Sequence, residues 1–213
     1  MEMKPYKTLI RRASDEFIVN KSRFIGHGCP CETEEEALAF LGEMRTKYKD
    51  ATHNCYAYII GTNMGVMRYS DDGEPGGTAG MPIIEVMKAR GVTNCAVVVT
   101  RYFGGILLGA GGLVRAYTKG AVCALDAAGV GVMYPTKRLL IDVPYPMLSR
   151  FEYMLKSQPV QVEDKSFADS ITFTVIAKTQ DQAAFERDLA AMSDGKIEPL
   201  EMEEVYLAWP EEG

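Results

Sequence analysis

Histidine and tryptophan are nearly absent, with His27, His53 and one tryptophan among 213 residues. Cysteine is sparse and odd in number, at positions 29, 31, 55, 95 and 123. That scatter excludes a disulfide framework. Cys29-Pro30-Cys31 is spaced CxC rather than CxxC, and two histidines do little to complete a zinc site, so no metal and no cofactor is implied. Long apolar runs are missing too. The longest, Ile106 to Val114, is interrupted by three glycines and falls far short of the ~20 residues that a membrane helix needs. Met1-Glu2-Met3-Lys4-Pro5 is polar and lacks the apolar centre of a signal peptide. A cytoplasmic protein with no membrane contact is the expectation.

What is present points to a folded chain. Apolar residues make up 47% and charged residues 24%, too apolar for disorder. The formal charge of −6 is unevenly placed. Through residue 134 there are 15 Lys and Arg against 14 Asp and Glu, a net of +1; beyond it there are eight against 15, a net of −7. The asymmetry suggests two units, and any anion-binding role belongs to the first.

The pattern along the chain is mixed. Residues 17–29 read as a strand region. Thr33 with Glu36 forms a capping box, followed by Ala37, Leu41, Met44 and Tyr48 at helical spacing. Residues 54–60 are apolar on both parities, as in a strand covered on both faces. A short strand at 66–69 precedes a glycine-rich loop, a helix from Pro82 to Gly91, a β-branched strand from Cys95 to Thr100, and a small-residue helix from about Gly111 to Ala128. Tyr134-Pro135-Thr136 marks the boundary between units 1–134 and 135–213. The second reads strand 138–143, helix 147–157, strand 160–164, strand 170–178, helix 182–192 capped by Asp181, and strand 197–208. That βαββαβ order is ferredoxin-like. The predicted class is α+β.

Two glycine-rich loops feed helix starts. The first carries Asp71, Asp72, Gly73, Glu74, Pro75, Gly77, Thr78 and Gly80; the second carries Arg101, Tyr102, Gly104, Gly105, Gly109, Gly111 and Gly112. A helix N-terminus offers free N–H donors and partial positive charge, and Arg101, Arg115 and Lys119 flank the second loop. An anion or nucleic-acid backbone fits there; the plain alternative is that the glycines serve tight turns and close packing. In the first loop the carboxylates are candidates to hold a cation, to pair with Arg68 or Arg101, or to stay solvated. His53 and Cys55 share a strand face, which admits a nucleophile–base pair, though their side chains stand parallel. Neither a Walker loop nor a dinucleotide fingerprint is complete.

Arg101-Tyr102-Phe103-Gly104-Gly105-Ile106-Leu107-Leu108-Gly109, preceded by Asp72-Gly73-Glu74-Pro75 and Gly77-Thr78-Ala79-Gly80, resembles the signature of the IMPACT/YigZ family, and His53-Asn54-Cys55-Tyr56-Ala57-Tyr58 fits its upstream block. The resemblance implies an N-terminal domain like domain 2 of ribosomal protein S5 and a ferredoxin-like C-terminal domain, a pair similar to the last two domains of elongation factor G. It implies a translation-associated binding role, with RNA or the ribosome as partner, or a protein partner as for the eukaryotic regulators. A hydrolase with an acidic-loop site is the enzymatic alternative; the resemblance supplies no catalytic residues. In the family the loop usually has Ser where this chain has Gly76, which disfavours a serine-based catalyst.

Overall fold

The computed structural model describes residues 3–209. Two compact units result. One comprises Tyr6–Val132; the other begins at Met133 and includes residues 3–5. The first elements are β1 (Tyr6–Leu9), β2 (Ala13–Val19), β3 (Ser22–Pro30), α1 (Glu34–Lys47), β4 (His53–Ile60), β5 (Val66–Ser70), α2 (Gly80–Arg90), β6 (Cys95–Tyr102) and α3 (Gly109–Ala128). The strand expected over 17–29 is a hairpin instead, β2 and β3 paired antiparallel. Its two-residue turn, Asn20-Lys21, takes positive φ at both positions. That geometry matches strand twist but usually advertises itself by glycine, which is absent here.

The sheet order is β2-β3-β6-β4-β5, antiparallel throughout. Central β6 is apolar on both parities because both sheet faces are covered. Val97 and Val99 join Phe24, Ile83, Met87, Tyr117 and Leu125 in the core beneath α2 and α3. Ala96 and Val98 join Phe40, Leu41 and Met44 in the core under α1. α1 begins as its capping box predicts: Thr33 Oγ1 accepts from the Glu36 N–H at 3.2 Å. α3 lies unusually close to the sheet. A Cβ on Gly26 would stand 2.2 Å from the Gly120 carbonyl oxygen, and one on Gly120 would stand 2.7 Å from Val99.

β7 (Val130–Val143) carries the chain into the second unit, running without a break through the expected boundary at Pro135. There follow a 3-10 turn at Tyr145–Met147, α4 (Leu148–Leu155), β8 (Val160–Phe167), β9 (Ile171–Lys178), α5 (Thr179–Ser193) and β10 (Leu200–Ala208). Antiparallel pairing gives the order β10-β7-β9-β8, which is the ferredoxin-like arrangement. Leu139, Ile141, Phe151, Phe173, Phe185 and Leu189 fill the core between sheet and helices. Asp181 sits inside the first turn of α5 rather than at its cap.

Candidate functional site

The first glycine-rich loop folds around its own carboxylates. Asp71 caps α2: Oδ1 accepts from the N–H groups of Ala79 (3.0 Å) and Gly80 (2.8 Å), and Oδ2 from that of Gly77 (2.9 Å). Burial alone would raise the Asp71 pKa, but these backbone donors outweigh it and hold the carboxyl below its usual range. Asp72 Oδ2 accepts from the Asn54 N–H at 2.6 Å. Gly73 and Gly77 take positive φ, and Thr78 Oγ1 donates to the Pro75 carbonyl at 2.6 Å. Gly80 lets α2 start against β5, since a Cβ there would fall 2.8 Å from the Ser70 backbone. Asp71 and Asp72 are thus committed to protein donors. Among the described residues no group of three His, Cys, Asp or Glu side chains is placed to hold a metal.

Glu74 is the exception, because it turns inward. Its carboxylate is buried, and Oε1 accepts from Arg101 Nη1 at 2.6 Å and from the Tyr117 hydroxyl at 2.7 Å. Of the alternatives open to the acidic loop, pairing with Arg101 is the one adopted by Glu74. Arg101 is therefore not a surface cation. It is 5% exposed, its guanidinium lies 5.5 Å from the Phe24 ring centroid and 5.4 Å from that of Phe103, and its Nε–H has no acceptor among the described residues. Tyr102, next along β6, points to the other face, where its hydroxyl donates to Asp50 at 2.9 Å.

His53 and Cys55 both reach the acidic loop. His53 Nδ1 lies 2.8 Å from the Asp72 carbonyl oxygen. A carbonyl only accepts, so Nδ1 carries a proton. Nε2 stands 3.8 Å from Glu74 Oε1. The Cys55 thiol donates to the Asp71 carbonyl at 3.0 Å, and burial pushes its pKa up to about 12. It stays a thiol, and no nucleophile–base pair forms with His53.

The glycines of the second loop divide by role. Gly104 is a packing glycine: a Cβ would lie 2.0 Å from the Lys21 backbone, and its N–H donates to Ser22 Oγ at 3.2 Å. Gly105 and Gly109 supply positive φ. Gly111 and Gly112 lie in the first turn of α3, which has neither a side-chain cap nor an acidic residue. Arg115 and Lys119 are exposed on α3, and neither forms an ion pair among the described residues. Lys119 Nζ sits 4.5 Å from the Phe17 ring centroid.

His53, Glu74 and Arg101 meet the start of α3 around one cleft of about 420 Å³. Its walls are mainly apolar, formed by Pro75, Phe103, Leu107, Leu108 and Leu113. Phe103, Ile106, Leu107 and Val114 remain exposed, Leu107 at 84%. Gly111, Gly112, Arg115 and Lys119 do not line it, nor do Gly104, Gly105, Tyr102, Cys55, Asp71, Asp72, Gly77, Thr78 and Gly80. Ser22, Phe24 and Tyr117 complete the network without having been singled out as site residues. Tyr117 is fully buried and acts as a supporting donor; its spacing on the inner stripe of α3 is the available signal.

Residues 20–125 match the Impact N-terminal domain, and residues 141–196 match a domain of unknown function, DUF1949. The Bacillus subtilis IMPACT family member YvyE is 36% identical, over 95% of this chain and 93% of that protein. The Escherichia coli IMPACT family member YigZ is 34% identical, over 87% and 92%. A solved crystal structure of a hypothetical protein superimposes with a TM-score of 0.61 at 31% identity, covering 95% of this chain and 99% of that one. Among the described residues no helix is long and apolar enough to cross a membrane. With both domains matched in order and relatives alike over nearly their whole length, this chain belongs to the IMPACT family.

Proposed function

We propose that this is a non-catalytic, translation-associated binding protein that meets RNA on the ribosome through the exposed loop before α3 and the first turns of that helix. The translational link rests on the motif resemblance. The observation that carries the reading is one juxtaposition. The Phe103–Leu108 loop is pinned by Gly104 against Lys21, yet exposes Phe103, Ile106 and Leu107 beside an uncapped helix start flanked by Arg115 and Lys119. Pinned aromatic and apolar side chains next to cations suit stacking and backbone contact at low ordering cost. With Asp71 and Asp72 turned onto backbone donors and Cys55 held as a thiol, little is left for acidic-loop hydrolysis.

Ribosome co-sedimentation across a salt series tests it. Binding should weaken steeply with salt, and Arg115→Ala should reduce the log–log slope by about 1. Leu107→Ser should weaken binding at every salt concentration. Salt-independent binding, or full affinity in both variants, would overturn the reading. The exposed apolar cluster favours a second reading, a protein partner without RNA. A complex that survives nuclease treatment would select it.

A further inference from the structure

We propose that Cys29 and Cys31 are a dithiol–disulfide pair that exchanges with a low-molecular-weight disulfide of the glutathione type, Cys29 attacking and Cys31 resolving. The proposal goes beyond the ribosome reading and does not rest on it. The pair lies on the α1 face of the sheet, whereas the RNA contact is assigned to α3 and the loop before it.

Placement is the first observation. Gly28 of β3 faces α3, where a Cβ would meet Ala124 and Ala128. Alternation along the strand turns Cys29 to the opposite face. There Cys31 belongs to the core under α1, and Cys29 packs against it. β2 pairs with β3 only as far as Ala13 opposite Gly28. Cys29 and Pro30 therefore run past the end of β2, with β6 on their other side. Cys29 is left half-buried at an open strand edge, and Cys31 is buried behind it, 1% exposed. Exchange needs that order: one sulfur that meets the reagent, and a second that waits beside it.

Approach is the second. Residues two apart on an extended strand have Cα atoms about 6.5–7 Å apart, the upper edge of what a disulfide spans. β3 ends at Pro30, however, and Cys31 turns back. Its thiol donates to the Cys29 carbonyl at 3.6 Å, and the two thiol side chains are also hydrogen-bond partners of each other. Cys95 stands opposite Pro30 on β6. It belongs to the core on the α2–α3 face, and burial pushes its pKa up to about 12, so it does not compete.

Charge agrees with the geometry. The hydrogen bond from Cys31 draws the Cys29 pKa below its usual value and Arg12 adds to this, against burial, Glu43 and Glu36. Arg12 is held over the Phe40 ring at 4.9 Å and is ion-paired with Glu43. The contact with Cys29, together with burial, pushes the Cys31 thiol up. Cys55, Cys95 and Cys123 are pushed up as well. Cys29 alone is shifted toward the thiolate, which is the nucleophile.

In the exchange, the Cys29 thiolate attacks one sulfur of glutathione disulfide. The reagent's S–S bond breaks, and the departing glutathione thiolate takes up the proton that Cys29 gave to solvent. Cys31 then loses its proton, attacks the Cys29 sulfur and displaces the second glutathione, which takes up that proton. Two protein thiols are oxidised to one disulfide, and the reagent's disulfide is reduced to two thiols.

The test is intact-mass measurement and peptide mapping of the full chain after native incubation with glutathione disulfide. The parent chain should lose two hydrogens and retain no glutathione, the link should map to Cys29 and Cys31, and dithiothreitol should reverse it. Cys31→Ser should stop at one glutathione on Cys29, and Cys29→Ser should form neither product. Cys123, also half-buried, is the internal control: iodoacetamide should alkylate Cys29 in the reduced chain at least about tenfold faster. Thermal melts establish that the variants are folded, and mapping of the parent chain needs no variant. Retention of both thiols, a link through Cys95 or Cys123, a folded Cys31→Ser chain that never accumulates the mixed disulfide, or Cys123 reacting as fast as Cys29 would each overturn the proposal.

Discussion

Glu74 and Arg101 form a buried ion pair, with side chains 4% and 6% exposed, and its removal has a calculable signature. Glu74→Gln keeps the shape and the acceptor for Tyr117 but strands the Arg101 charge between Phe24 and Phe103. Arg101→Met strands the Glu74 carboxylate instead. Breaking one side of a buried pair destabilises by about 3–5 kcal/mol, because the remaining charge has lost both water and partner. For a domain whose total stability is about 5–15 kcal/mol that is a large fraction. At a urea m-value of about 2 kcal/mol per M, each single variant should lower the unfolding midpoint by about 2 M. The double variant leaves no charge behind, so it should recover at least half of the loss of either single variant. Urea unfolding followed by amide exchange in β6 and α3 reads all four proteins, and the cycle isolates the coupling. Tyr117→Phe serves as a neutral reference and should cost about 1 kcal/mol. Single variants that each lose under 1 kcal/mol and simply add in the double would show that the pair is hydrated and that the cleft floor is not the sealed network described here.

His27 should govern stability in mild acid. Burial first, then Lys47 and Arg12, depress its pKa from 6.5 to about 4. As pH falls from 6.5 toward 4 the unfolded chain takes up a proton that the folded chain refuses, so stability drops by about 3 kcal/mol across that window. His27→Gln should flatten the curve there; an unchanged slope in urea midpoints would refute the assignment. Gly104→Ala should destabilise by at least about 1–3 kcal/mol because its Cβ would overlap the Lys21 backbone, and a thermal melt indistinguishable from the parent, against the ~2–4 °C expected per kcal/mol for a chain of this size, would contradict it. Gly76→Ser, by contrast, enters open space at a φ that is not positive. It should leave the melting temperature and any ribosome binding unchanged; a gain of hydrolytic activity would revive the serine-based reading.

Much of the architecture was legible because local pattern and tertiary environment agree. β6 is apolar on both parities and is covered on both faces. Thr33 and Glu36 stand where a helix must begin, and α1 begins there. The ferredoxin-like order of the second unit follows from six elements whose periods switch cleanly between two and 3.6. The failures have equally local causes. The β2–β3 turn uses Asn20 and Lys21 at positive φ, so no glycine marks it. The strand read as 138–143 begins earlier, at Val130, and passes through Pro135, a residue that usually ends elements.

The site was harder to read for a reason that concerns charge rather than pattern. Arg101 beside a glycine loop, next to Arg115 and Lys119, has the composition of an anion site. Composition does not tell which way a side chain turns, and the parity of β6 sends Arg101 inward while Tyr102 goes out. Once inside, Arg101 needs a counter-charge, and Glu74, 27 residues away in sequence, is the carboxylate in its loop that is not already spent on backbone donors. The two most suggestive features of the sequence, an acidic loop and a basic one, therefore cancel each other at the cleft floor. What survives as positive potential is the part that has no ion-pair or capping partner among the described residues: the backbone of Gly111 and its neighbours at the start of α3, and Arg115 beside it. In the proposed ribosome contact, phosphate recognition then falls to a helix start and one exposed arginine. It should therefore be of modest strength, set by the number of free N–H groups, and more sensitive to Gly111→Ala than to loss of any single lysine on the same face.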